Sequence, residues 1–159
     1  DYVVFPGVGH AKAAMETIET KGLSELIRNL KQPVLGVCLG MQLMCRFSEE
    51  GNVDGLGIFD VDVKKFNDTL KVPHMGWNAV SFVEGAPLTD GLVSRGDRFY
   101  FVHSYYVETA DASMNWFEAN YGRRFVAGIH CGNCYATQFH PEKSQAKGLH
   151  LYRNFLSLL

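Results

Sequence analysis

Apolar and polar positions along the chain fall into two regimes. Residues 2–5 (Tyr-Val-Val-Phe) form a short apolar, partly β-branched run that stops at Pro6-Gly7-Val8-Gly9, the pattern of a buried strand entering a tight loop. A helical stretch is expected from about His10 to Thr20, with Gly22 as punctuation. Leu23, Leu26, Ile27 and Leu30 recur at i, i+3, i+4 and i+7, which predicts an amphipathic helix with its apolar stripe on the core. Residues 33–37 (Pro-Val-Leu-Gly-Val) predict a second buried strand, and Leu39 to about Phe47 has helical composition. Strand, helix, strand, sharp turn, helix is the order of a parallel α/β sheet.

Beyond residue 50 the pattern changes. Phe59, Val61 and Val63 alternate with Asp60, Asp62 and Lys64, so one face of this strand is wet. Further strands are expected at 79–83, 99–102, 125–131 and 135–139. The last two flank Gly132-Asn133, a two-residue hairpin signal. A closing helix over 145–158 is expected to turn Leu149, Tyr152 and Leu156 inward. The fold class is therefore α/β, a parallel core with antiparallel additions. Residues 1–159 form one domain, since no repeat, low-complexity stretch or linker interrupts them.

Composition narrows the function classes. The 159 residues carry 15 Lys+Arg against 17 Asp+Glu, with 47% hydrophobic and 20% charged positions, the profile of an ordinary globular domain. A net charge of −2 argues against a nucleic-acid or anionic-membrane surface. No apolar run approaches the roughly 20 residues of a membrane span. Four cysteines in a chain of this length do not make a disulfide scaffold, so a cytoplasmic location is expected. The chain opens Asp1-Tyr2-Val3 with no basic n-region, so no signal peptide is expected, and Asp1 in place of Met suggests that the natural start is missing.

Candidate chemistry begins at Gly36-Val37-Cys38-Leu39-Gly40, a G-x-C-x-G between a strand and a helix. This is a nucleophile-elbow pattern with Cys in place of Ser. A Cβ at either flanking glycine would crowd the neighbouring strand and helix. Placing Cys38 at a helix start is expected to favour its thiolate, and the Leu39 N–H is then aimed at a developing oxyanion. Gln42 lies one helical turn on, placed to grip a polar substrate group. The pentapeptide alone serves a buried structural cysteine equally well.

Phe139-His140-Pro141-Glu142 supplies what such a nucleophile needs, a general base and a group to orient it. Pro141 biases His140 towards an extended backbone, in which residues i and i+2 point the same way, so imidazole and carboxylate are expected to meet. Cys131-Gly132-Asn133-Cys134 is a C-x-x-C across a predicted turn. It lacks the second pair of a structural zinc site and reads as two thiols flanking a hairpin. Cys45 reads as a core residue on the helix after the elbow.

The elbow with Met41 and Gln42, together with residues 135–144 (Tyr-Ala-Thr-Gln-Phe-His-Pro-Glu-Lys-Ser), resembles the class I (triad) glutamine amidotransferases. Within them, Pro6-Gly7-Val8-Gly9, Val72-Pro73-His74-Met75-Gly76-Trp77-Asn78 and Phe101-Val102-His103-Ser104-Tyr105 resemble the glutaminase subunits of imidazole glycerol phosphate synthases. The resemblance implies a flavodoxin-like sheet and glutamine hydrolysis through a γ-glutamyl thioester. Cys38 would be the nucleophile, His140 the acid–base and Glu142 its orienter. It implies an oxyanion strand at Gly7, Val8 and Gly9, joined by Leu39, and substrate contacts at Gln42, Ser104 and Tyr105. It also implies a heterodimer with a (β/α)8-barrel cyclase, contacted by an exposed run of Pro73, His74, Met75, Gly76, Trp77 and Asn78 and by Lys143. Ammonia would pass to that cyclase in histidine biosynthesis, with no cofactor and no metal. Relative to the family pattern, the chain is expected to lack an N-terminal strand–helix–strand unit. A glutaminase serving another synthase, such as a sugar-aminating one, and an inactive docking fragment are the alternative functions.

Overall fold

The computed structural model describes all residues except 68, 109 and 110. Strand β1 (Val3–Phe5) leads to α1 (Ala11–Thr20) and the short α2 (Ser24–Arg28). Strand β2 (Val34–Val37) turns into α3 (Leu39–Met44), followed by β3 (Cys45–Ser48), β4 (Val53–Asp54) and β5 (Phe59–Lys65). The second half runs β6 (His74–Ser81), β7 (Arg95–His103), β8 (Tyr105–Glu108), β9 (Asn115–Asn120), β10 (Arg124–Cys131) and β11 (Cys134–Thr137). A 3-10 turn over Pro141–Lys143 then precedes α4 (Gln145–Leu156).

The main sheet has the order β1-β2-β11-β10-β8-β5-β3-β4. Strands β1, β2 and β11 are mutually parallel neighbours, and β3 runs parallel to β5, whereas β10 joins β11 and β8 antiparallel. Strand β9 pairs with both β10 and β6, and β6 with β7, so an antiparallel wing branches from the sheet. The predicted parallel core with antiparallel additions is what forms. All four residues of β2 are buried, as suits a strand covered on both faces. Along β5 the burial alternates as its sequence does. Gly132, at φ +58°, closes the β10–β11 hairpin with Cys131 opposite Cys134.

Five local expectations are corrected. The helix predicted over 39–47 stops at Met44, because residues 45–48 pair with β4 and β5 and bury Cys45 in the sheet. The stripe on Leu23, Leu26, Ile27 and Leu30 faces the core only in part: Ile27 and Leu30 pack against core clusters, whereas Leu23 and Leu26 are exposed, Leu26 at 62%, and α2 fully buries no residue. There Arg28 donates from Nε to the Leu56 carbonyl (2.7 Å) and Ile27 packs beneath, which turns Leu26 outward. Strand β6 starts at His74, several residues ahead of the expected 79, and β9 had no counterpart in the sequence pattern. In α4 the inner stripe is Gly148, Leu151, Tyr152 and Phe155, while Leu149 and Leu156 are exposed. The cause is close packing: a Cβ at Gly148 would lie 1.8 Å from the Pro141 carbonyl oxygen, so the glycine edge of the helix seats on the 3-10 turn.

The largest core cluster packs the aromatic wing, including Phe99, Phe101, Phe117, Phe125 and Phe139, against Leu151 and Phe155 of α4. A second joins Val34, Met41, Met44, Phe59 and Val126 beside the sheet centre. No described helix is long and apolar enough to cross a membrane.

Candidate active site

The elbow forms where β2 meets α3. Cys38 adopts φ +53° and ψ −110°, a left-handed conformation that costs a non-glycine residue strain and is held by its surroundings. Its N–H donates to the Thr137 carbonyl (2.8 Å). A Cβ at Gly40 would sit 1.9 Å from the Phe5 carbonyl oxygen, and one at Gly36 would sit 2.7 Å from the Met44 sulfur, so both flanking glycines are required by contact. Gln138 Nε2 donates to the Cys38 sulfur (3.7 Å), and the neighbouring Leu39 N–H favours its charged form.

One electrostatic expectation is reversed. Burial pushes the Cys38 thiol up to about 11, opposed by the Leu39 and Gln138 donors and reinforced by the Glu142 charge. The resting nucleophile is therefore a protonated thiol at neutral pH. A helix of six residues does not offset the loss of water around the sulfur.

His140 is buried, with Nδ1 bonded to Glu142 Oε1 (2.6 Å). A carboxylate only accepts, so Nδ1 carries a hydrogen, and in the neutral ring Nε2 is then the nitrogen with the lone pair. That Nε2 is buried and has no hydrogen-bond partner among the described residues. The two side chains meet, though not along one extended segment. His140 is extended (φ −98°, ψ 98°), and the 3-10 turn beginning at Pro141 swings Glu142 back towards it. The base is tied further through its backbone: its N–H donates to the Tyr100 carbonyl (2.9 Å) and its carbonyl accepts from Ser144 Oγ (2.6 Å), which in turn accepts from the Tyr100 N–H (3.0 Å).

Cys38 and His140 open onto one cavity of about 300 Å³, lined also by Gly7, Val8, Gly9, Leu39, Gln42, Ser104, Tyr105, Pro73 and Lys143. The sequence-predicted residues from five separate segments thus converge there. Gln42 is buried and donates from Nε2 to the Tyr105 carbonyl (3.2 Å) and Gln138 Oε1 (3.0 Å). Val102 and His103 also line the cavity without having been singled out as site residues, and Glu50 and Gln138 were missed as well. Glu50 lines the cavity and accepts from the Ala11 N–H (2.7 Å); nothing in its local sequence distinguishes it from other surface acids. Gln138 is fully buried between Gln42 and Cys38, and its place two residues before His140 on an extended segment was the available signal.

The run from Pro73 to Asn78 is not uniformly exposed. On β6, Met75 and Trp77 are 62% and 43% exposed, whereas His74 is buried against Phe101 and Tyr121. Alternation along a strand decides this, since neighbouring side chains take opposite faces. Gly76 and Asn78 are half-buried, and Pro73 and Lys143 are exposed. Cys131 and Cys134 are both free thiols, the first exposed and the second buried.

The sequence profile of the family Glutamine amidotransferase class-I matches residues 1–158. The chain is 53% identical over 161 residues to the imidazole glycerol phosphate synthase subunit HisH of Bacteroides fragilis, covering 99% of this chain and 80% of that protein. It is 49% identical over 157 residues to the subunit of the same name from Haemophilus influenzae, covering 98% and 77%. Among solved structures, a glutamine amidotransferase superposes with a TM-score of 0.72 at 18% identity, covering 99% of this chain and 78% of that one. A Thermotoga maritima glutamine amidotransferase gives 0.64 at 18% identity, covering 95% and 60%. With the fold shared at that distance and the sequence shared with the HisH subunits over nearly its whole length, the chain belongs to the class-I glutamine amidotransferases, in the branch of the imidazole glycerol phosphate synthase subunits.

Proposed function

We propose that the chain hydrolyses the side-chain amide of glutamine to glutamate and ammonia, using Cys38, His140 and Glu142, and hands the ammonia to a (β/α)8-barrel cyclase for imidazole glycerol phosphate synthesis in histidine biosynthesis. The observation that supports this best is that the buried Nε2 of His140, unpaired among the described residues, lines the same cavity of about 300 Å³ as the protonated Cys38 thiol, with the Nδ1–H already committed to Glu142.

The steps follow from those protonation states. As the Cys38 sulfur attacks the amide carbon, its proton passes to His140 Nε2, so no free thiolate need exist beforehand. Charge developing on the amide oxygen is met by the Leu39 N–H and by the Val8 N–H of the glycine-flanked loop. His140 returns the proton to the nitrogen, ammonia leaves, and a γ-glutamyl thioester remains. Water then attacks the thioester, giving its proton to His140. The C–S bond breaks, glutamate leaves, and the sulfur recovers the proton. Glu142 keeps His140 in the Nδ1–H tautomer throughout and stabilises its charged form. Gln42, Ser104 and Tyr105 hold the substrate. Glu50 is the carboxylate suited to its ammonium group. Met75, Trp77 and Lys143, exposed on the side of Pro73, form the face offered to the barrel, whose core would favour such Trp and Met side chains.

The test is glutamate release from glutamine, with and without a cyclase barrel and its ribotide ligand, with Cys38→Ala as control. Release that depends on Cys38 and rises strongly with the liganded barrel is expected. Absence of Cys38-dependent release under every condition overturns the proposal.

A further inference from the structure

A hydrogen-bonded chain joins strand β6 to the nucleophile. Asn78 Nδ2 lies 3.3 Å from His74 Nε2 and also donates to the Asn120 carbonyl (2.8 Å). His74 Nδ1 lies 2.9 Å from His103 Nε2, and His103 Nδ1 lies 2.7 Å from the Tyr105 carbonyl. That carbonyl also accepts from Gln42 Nε2, which donates in addition to Gln138 Oε1, and Gln138 Nε2 donates to the Cys38 sulfur.

The polarity of this chain has one solution. A carbonyl only accepts, so His103 carries its hydrogen on Nδ1 and offers a lone pair at Nε2. His74 must then donate from Nδ1, leaving its Nε2 to accept from Asn78. Both rings have to be neutral for this to hold. Burial lowers His74 to about 4 and His103 to about 3, so both are neutral at physiological pH. Stacking of His74 on Tyr121 (4.1 Å between ring centroids) and on Phe101 (4.9 Å) fixes its plane.

We infer that the buried His74–His103 pair is a positioning device for Cys38: it locks the Tyr105 carbonyl, which holds Gln42, which holds Gln138 against the thiol. His74 and His103 are positioning residues, since neither bonds the sulfur. Gln138 is one of the donors that favour the thiolate, so slackening the chain makes Cys38 less reactive. The device begins on the strand that also exposes Met75 and Trp77, so pressure on that face has a bonded route to the site. The role of Cys38 as nucleophile rests on the function proposed above, but its reactivity as a thiol does not.

The test is a double-mutant cycle between His74→Phe, which keeps the stacking and deletes the bonds, and Gln138→Met. Both singles and the double are measured in the complex with the barrel, by kcat for glutamate release and by the rate of iodoacetamide alkylation at Cys38, mapped by peptide mass. Each single change is expected to lower both rates about tenfold, the scale of one buried neutral hydrogen bond. The double variant should be no slower than the slower single, because both cut one chain. His74→Asn, whose amide can donate to His103, should recover most of the alkylation rate even where the phenylalanine variant folds poorly. Additive losses, or a His74→Phe protein with altered thermal midpoint and unchanged Cys38 alkylation, would overturn the inference. Slowed alkylation in a protein whose wild type releases no glutamate would keep the inference and overturn the proposed function instead.

Discussion

The two sides of Cys38 are built on different terms. On the base side, His140 is buried and fixed through its backbone, its carbonyl and its ring, by Tyr100, Ser144 and Glu142. On the oxyanion side, Val8 is 85% exposed and Gly9 sits at φ +107° with open space where a side chain would be. The contrast teaches which half of the reaction is ready at rest. The base is set in tautomer and place, while the loop that would supply the second oxyanion donor keeps the freedom of a glycine-flanked surface segment.

The strongest break of the comparison removes what both sides serve. Cys38→Ala should lower glutamate release in the complex by about 10⁴-fold or more, as loss of a nucleophile does in a triad, with the thermal midpoint little changed. Glu142→Gln attacks the base side alone. Glu142 is 46% exposed at its side chain, so solvent shares its task, and kcat should fall about a hundredfold, less than for a buried orienter. A steady-state assay with saturating glutamine decides both. Gly9→Ala attacks the oxyanion side: the methyl has room but the φ does not suit it. A loss of about 1–2 kcal/mol in urea unfolding is expected, with a larger proportional loss in kcat than in KM.

The smallest effect comes from the buried pair His74 and His103. Their folded values lie below the ordinary 6.5, so the unfolded chain binds more protons as the medium is acidified. Stability from His74 and His103 is thus complete above about pH 6.5 and is lost progressively as pH falls towards 4 and 3. Thermal midpoints measured from pH 7 down to pH 4 should decline, and His74→Phe should flatten part of that decline.

Much of this contrast was legible in the chain. The elbow and the Gly132 hairpin rest on short-range geometry that glycine dictates, and both turns formed as expected, whereas His140 meets Glu142 by another route, a 3-10 turn in place of one extended segment. What failed depended on neighbours far along the chain. Residues 45–48 have helical composition, yet pairing with β5 makes them a strand. His74 was read as exposed within its motif, yet the aromatic wing contributed by β7 and Tyr121 buries it. The thiolate expected from the helix start was cancelled by burial that no local pattern reports. In α4, Leu149 and Leu156 mark the wrong stripe because the tightest contact belongs to a residue without a side chain, Gly148.

That contact has a practical consequence for anyone engineering the domain. Replacing helical glycines by alanine is a common route to greater heat tolerance, and Gly148 would attract such a change. Here the added methyl would press on the Pro141 carbonyl, one residue from the base. The last helix acts as a gauge block for the dyad: it holds the turn at a fixed spacing by having nothing in between. A variant chosen for rigidity at that point would trade away the alignment that the rest of the fold maintains.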